Sequence, residues 1–273
     1  MTALPVLASM LLAAEPVAFV ICAPGYPGST AEAQASMDAF AAALTARAGW
    51  PAGSLVGAYY ESEKAGAERL ARPDAVVGMF TLPFFLEEAG RAKLQPRLAA
   101  VQAGSEADEV WSLVAKKGRV TGPGSLAGWK LVSIAGYAPA FVRGVALGAW
   151  GKLPATTEIV QSSQVLSWLR KAAAGDNVAL LLDGMQGKAL GTLPFAPELE
   201  VVARSAPVPG GVVATVGKRL PPERWAALEK ALRSLRESPE GAAALDGIRL
   251  EAFVPMDDAA LAAARKSYGA AER

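Results

Sequence analysis

Short polar clusters follow apolar runs at several points of the chain, and they hold the side chains best suited to chemistry. In chain order these are Tyr26, Ser29 and Thr30, then Tyr60, Glu61 and Ser62, then Thr81, Tyr137, Ser162 and Ser163, and finally Asp183. Hydroxyls both donate and accept hydrogen bonds while carboxylates accept, a set that suits capture of a small polar molecule. The common machinery for breaking bonds is missing. The sequence contains no histidine, which removes histidine-based triads, zinc-histidine sites and the usual general base near neutral pH. Its single cysteine, Cys22, has no histidine to activate it and no second cysteine for a disulfide or a thiolate metal site, so it reads as a small buried hydrophobe. No catalytic residue, metal site or cofactor is expected.

Each candidate also has a plainer role. Ser29 and Ser163 stand where helices begin and serve as caps. Tyr26 and Tyr137 lie on turns next to proline and can simply cover apolar surface. Asp183 before Gly184 fits a turn, against a role in holding a cationic or hydroxylated group. Glu61 fits a solvated charge at a helix start. Gly122, Gly124 and Gly128 do not make a phosphate loop, because no Gly-Lys-Ser or Gly-Lys-Thr follows them.

The elements that must position these side chains alternate along the chain. Val17 to Cys22 reads as a buried strand, and Ser29 to Glu32 as a capping box opening a helix with Met37, Phe40 and Leu44 on its inner stripe, stopped at Gly49. Strands follow at 55–60, 75–80, 98–102 and 110–116, with helices after the first two of these. A second group runs from strand 130–135 through a helix at about 139–150, strand 158–161, a helix from Ser163 to Gly175 and strand 178–182, to a strand near 199–203. The breaker cluster of Pro207, Pro209, Gly210 and Gly211 then leads back to strand 212–216. The chain ends in a helix carrying Trp225, Leu228, Leu232 and Leu235 and in a last one capped by Asp257, both expected to pack on the first lobe.

This pattern predicts an α/β fold of two lobes, each a mixed but mainly parallel sheet flanked by helices, joined by two crossing segments. One crossing is expected at Gly122 to Gly124 and the return at Pro207 to Gly211. The first lobe takes 15–108 and 210–273, and the second takes 109–209 with the hinge. Residues 1–14 resemble a secretory signal, with the apolar run Leu4 to Ala14 ending in small residues, although no Lys or Arg precedes it. No later run reaches the roughly 18 apolar residues that span a bilayer. With 27 basic and 26 acidic residues the net charge is +1, which leaves no electrostatic footprint for nucleic acid. At 52% hydrophobic and 19% charged, the chain is far from the composition of a disordered tail.

Several stretches carry a family pattern. Pro207 to Arg219 (PVPGGVVATVGKR), the Trp225 to Leu235 helix, Gly241 to Leu245, Phe253-Val254-Pro255, Asp257-Asp258 and Tyr268, together with Gly124 to Val132 (GSLAGWKLV), resemble the phosphate/phosphite/phosphonate-binding branch of the type 2 periplasmic solute-binding proteins. The resemblance implies an exported, periplasmic receptor, a monomer, that closes two lobes on a small, oxyanionic ligand and delivers it to an ABC permease. It departs from that branch at Gly136-Tyr137-Ala138-Pro139, where the family carries a Ser- and Thr-rich turn. Tyr137 offers one hydroxyl there, and Pro139 has no amide hydrogen to donate. In such folds ligands collect beyond the carboxyl ends of the strands, which is where the candidates named above fall. Two other functions fit the same scaffold. One is an enzyme using Glu61 and Asp183 as an acid and base pair, and the other is an exported binding protein with a degenerate pocket.

Overall fold

The computed structural model describes residues 15–26 and 28–272. The secretory-signal reading of residues 1–14 lies outside them. The first strand, β1 (Val17–Cys22), is an apolar run buried over almost its whole length. Helix α1 (Thr30–Arg47) starts at the expected capping box: the Ser29 hydroxyl accepts from Glu32 N at 3.3 Å, and the Glu32 carboxylate accepts from Ser29 N at 2.8 Å. Its inner stripe buries Met37, Phe40 and Leu44, with the Phe40 ring edge-on to Phe19 at 5.2 Å. The remaining elements are β2 (Leu55–Tyr60), α2 (Glu63–Ala71), β3 (Ala75–Thr81), α3 (Leu82–Glu88), β4 (Leu94–Gln102), β5 (Asp108–Glu109), β6 (Ser112–Lys116), β7 (Lys130–Ser133), β8 (Glu158–Gln161), α4 (Val165–Ala174), β9 (Val178–Leu182), α5 (Gly184–Ala189), β10 (Leu199–Arg204), β11 (Val208–Pro209), β12 (Gly211–Val216), α6 (Pro222–Arg233), α7 (Pro239–Gly247), β13 (Leu250–Pro255) and α8 (Asp258–Ala271).

These strands form two large sheets, of order β13-β4-β12-β3-β1-β2 and β10-β6-β9-β7-β8. Both are mixed. Pairing is parallel across β2-β1-β3 and β9-β7-β8, and antiparallel elsewhere in both. The antiparallel share is larger than expected because β12, returning from the second lobe, runs against both β3 and β4, and β13, reached through α6 and α7, runs against β4. Between the sheets β5 and β11 pair with each other, Val208 opposite Glu109 and Pro209 opposite Asp108. Both crossings therefore lie side by side, and the first sits at residues 108–109, not at the Gly-Pro-Gly. Pro123–Leu126 is a short 3-10 turn inside the second lobe, because the preceding β6 is already paired with β9 and β10.

Two further expectations change. The helix foreseen at 139–150 is a single π turn at Phe141–Ala146, and Phe141 lies edge-on to Trp111 at 5.0 Å. Helix α6 packs on the first lobe as expected, whereas α8 rests mainly on that π turn of the second. The reason is a small-residue seat: a Cβ at Gly144 would lie 2.4 Å from the Ser267 carbonyl oxygen and 2.8 Å from the Ala271 methyl. On its other side α8 places the Arg265 guanidinium 5.1 Å from the centre of the Phe85 ring in α3. One apolar cluster runs through both lobes, with Val20, Phe80 and Phe85 on one side, Trp111, Phe141 and Leu181 on the other, and Tyr268 of α8 among them. Gly144→Ala is expected to push α8 off its seat and cost about 1–3 kcal/mol. A thermal melt checks it, and an unchanged midpoint would mean that α8 shifts freely. Among the described residues no helix is long and apolar enough to cross a membrane.

Candidate functional site

The carboxyl ends of β1 and β3 face those of β7 and β9 across the gap between the lobes. Two hydrogen bonds span it. The Tyr26 hydroxyl donates to Asp183 Oδ2 at 2.8 Å, and the hydroxyls of Thr81 and Tyr137 lie 3.3 Å apart. Beside these bonds is a cavity of about 50 Å³ whose lining includes Cys22, Tyr26, Thr81, Gln102, Gly210 and Gly211. Its lining comes from the first lobe and the return crossing, and Asp183, Glu109 and Tyr137 are not part of it; small-molecule sites usually measure several hundred Å³.

Asp183 is the centre of the arrangement. It directly follows β9, is 1% exposed, and caps α5 by accepting from Gln186 N at 2.7 Å, while the Gln186 side chain accepts from Asp183 N. The expected Asp-Gly turn is thus a helix start. Next to it stands Glu109 of the crossing strand β5, which accepts from Trp111 Nε1 at 2.9 Å and from Gly184 N at 3.2 Å. Burial first, and the neighbouring Asp183 carboxylate second, push the Glu109 carboxyl up to about 8. Asp183 is also raised, chiefly by burial, against the lowering effect of its hydrogen bonds from Gln186 and Tyr26. The Tyr26 and Tyr137 phenols are raised by burial, so both stay protonated and able to donate. Burial raises the Cys22 thiol as well, which keeps it neutral and leaves it a lining atom.

Of the residues named from the sequence, the structure brings Tyr26, Thr81, Tyr137 and Asp183 together. The others serve local structure. The Ser29 hydroxyl is occupied by its capping box, and Thr30 donates to Glu61 Oε2 from its amide at 3.0 Å and its hydroxyl at 2.7 Å, which lowers the Glu61 carboxyl. Ser62 caps α2 through Ala65 N, and Tyr60 is half-buried against the core. Ser162 accepts from Gln164 N and Trp168 Nε1, both at 3.1 Å. Ser163 is exposed and does not cap α4, whose cap position falls on Gln164. Glu61 and Asp183 form no pair, each carboxylate being committed to a different hydroxyl.

Glu109 escaped the sequence reading because it lies on a crossing strand and not after one. Its signal was a carboxylate two residues before a tryptophan, opposite the breaker cluster at Pro207 to Gly211. Among the described residues no group of three His, Cys, Asp or Glu side chains gathers to hold a metal.

Comparison with known proteins bears on both fold and site. Residues 164–261 match the family model described as ABC transporter, phosphonate, periplasmic substrate-binding protein. That stretch includes Asp183 and most of the carboxyl-terminal pattern, while Gly124 to Val132 lies outside it. A Xanthomonas citri protein solved bound to a chloride ion superposes with a TM-score of 0.72 at 16% identity, covering 93% of this chain and 98% of its own. A binding-protein component of an ABC phosphonate transporter from Pseudomonas aeruginosa gives 0.66 at 14% identity, covering 94% and 87%. PhnD1 from Prochlorococcus marinus in complex with methylphosphonate gives 0.58 at 10%, covering 94% and 97%. No curated protein matches the sequence. The chain therefore has the two-lobed α/β fold of the type 2 periplasmic binding proteins, and its matched segment resembles their phosphonate-binding branch.

Proposed function

We propose that the chain is an exported solute-binding receptor that closes its two lobes on a small molecule and presents the closed form to an ABC permease in the periplasmic space. The observation that carries this reading is the pair of hydrogen bonds from Tyr26 to Asp183 and between Thr81 and Tyr137, which join the lobes beside a cavity at the strand ends. The paired crossing strands β5 and β11 supply a hinge, and the family match over residues 164–261 supports the transport role. Ligand exchange requires these bonds to break and re-form, so the same side chains that latch the lobes are the ones a ligand meets.

Two measurements test the reading. Ligand screens by thermal shift should find a compound that stabilises the fold, by about 2.7 kcal/mol at 100 times its Kd. Small-angle scattering should show the radius of gyration fall as that compound saturates the protein. Absence of both effects across broad solute classes would refute it. Tyr26→Phe removes the donor that Asp183 faces, so it should weaken the closed form by about 1–3 kcal/mol and enlarge the scattering radius of the ligand-free protein.

A further inference from the structure

Helix α8 contributes no residue to the cavity, yet it touches both lobes. Its alanine-rich sequence leaves one narrow apolar stripe, Leu261, Ala264 and Tyr268 at helical spacing, and all three are buried. Asp257 opens the helix by accepting from Ala259 N and Ala260 N, both at 2.9 Å. Met256, between β13 and the helix, packs into the apolar cluster that the lobes share. The chain thus passes between the lobes a third time, and α8 runs against the crossing strand β11 as it does so.

The two attachments of this helix differ in kind. Toward the second lobe the fit is close, since a Cβ at Gly144 of the π turn would collide with the Ser267 carbonyl oxygen of α8. Backbone seated in backbone gives up all of that packing if it parts. Toward the first lobe α8 reaches α3 with two long side chains. The Arg265 guanidinium lies 5.1 Å from the centre of the Phe85 ring, and the Tyr268 phenol stands beside the Glu87 carboxylate, which after burial raises it. Contacts of this second kind can break and re-form without repacking a core.

We propose that α8 is a strap, which rides with the second lobe on its Gly144 seat and fastens to α3 of the first lobe through Arg265 and Tyr268, holding the molecule closed. The inference rests on the hinge of the receptor reading and adds a control outside the cleft. Because neither Arg265, Tyr268, Phe85 nor Glu87 lines the cavity, the strap favours the closed form whether or not a solute is bound. A solute reaches the cleft only from the open form, so release of the strap sets how often the cleft can be reached.

Pairs of spin labels on the full chain test this, read as distance distributions by double electron-electron resonance. Val56→Cys in the first lobe, Leu166→Cys in the second and Lys266→Cys on α8 are exposed positions, while the buried Cys22 escapes labelling. With no solute added, the pair at 56 and 166 should give one short distance. Arg265→Ala should raise the ratio of open to closed by about two- to fivefold, and Arg265→Ala with Tyr268→Phe by about tenfold, seen as a second, longer distance. Arg265 is exposed and phenylalanine keeps the Tyr268 ring, so both variants retain the buried stripe. The same pairs are measured on Tyr26→Phe, whose weakened latch brings the open form into range. As the molecule opens, the distance from 266 to 56 should lengthen and that from 266 to 166 should stay fixed. An unchanged distribution in both backgrounds would overturn the strap, and so would lengthening from 266 to 166 in place of 266 to 56. A solute that stabilises the wild type while the strap variants stay closed would leave the receptor reading standing without the strap. Strap variants that open while no solute binds would leave the strap standing without the receptor.

Discussion

Asp183→Ala is expected to destabilise the protein by about 2–4 kcal/mol and to abolish ligand-induced closure. Two losses add. The capping bond to Gln186 N disappears, which costs about 1 kcal/mol at a helix start. The Tyr26 hydroxyl then faces the interlobe gap without its acceptor, a further cost of about 1–3 kcal/mol for a half-buried donor. Asp183→Asn separates these roles, because asparagine still caps and still accepts from Tyr26 but carries no charge. The asparagine variant should therefore keep most of the stability and the ligand-induced closure. Denaturant melts and titration of the two variants check this. Equal stability of alanine and wild type would show that the latch contributes nothing.

The pH dependence of stability should bear the mark of Glu109. Its carboxyl moves from an ordinary 4.5 to about 8 on folding, so between those values the folded state holds a proton that the unfolded chain has lost. Stability from this group is complete below about 4.5 and is lost as pH rises through about 8, at up to about 1.4 kcal/mol per pH unit. Glu32, Glu61 and Asp74 have the opposite sign. Hydrogen bonds hold them below their ordinary values, so their contribution fades only on acidification. Maximum stability is thus expected near pH 5, with a decline toward pH 8. Denaturant melts at intervals across that range should show the decline in wild type and its flattening in Glu109→Gln. A flat wild-type profile would mean that the crossing strand rearranges to hydrate Glu109 on ionisation.

Much of this fold was legible along the chain because its strands announce themselves. Val17 to Cys22, Leu55 to Tyr60, Glu158 to Gln161 and Val178 to Leu182 fall where apolar runs and their flanking turns place them. The capping residues Ser29 and Asp257 were equally plain, since they precede periodic apolar stripes. What escaped was set by partners distant in sequence. The first crossing was assigned to Gly122 to Gly124, although the lobe boundary was drawn at 108/109, because a two-residue strand has no periodicity and only its pairing with Val208 and Pro209 defines it. The π turn at Phe141–Ala146 and the seat of α8 depend on Gly144 meeting Ser267, a contact that no local pattern encodes. The rule that ligands gather at strand ends picked out Asp183, Tyr26, Thr81 and Tyr137, whose side chains bond across the two lobes, and equally Glu61, Ser62 and Ser162, whose side chains bond within their own lobe. Glu109 follows no such rule. Its importance comes from burial against Trp111 and Asp183, which is a property of the assembled lobes.

The resting place of α8 has a practical corollary. The chain passes from β13 in the first lobe, through Asp257, onto the π turn of the second, so its final described helix and its first described strand lie on different lobes. A donor dye near Glu15 and an acceptor near Glu272 would therefore ride on opposite halves of the molecule. Their transfer efficiency would gauge the angle between the halves in real time, without a label in the cleft itself.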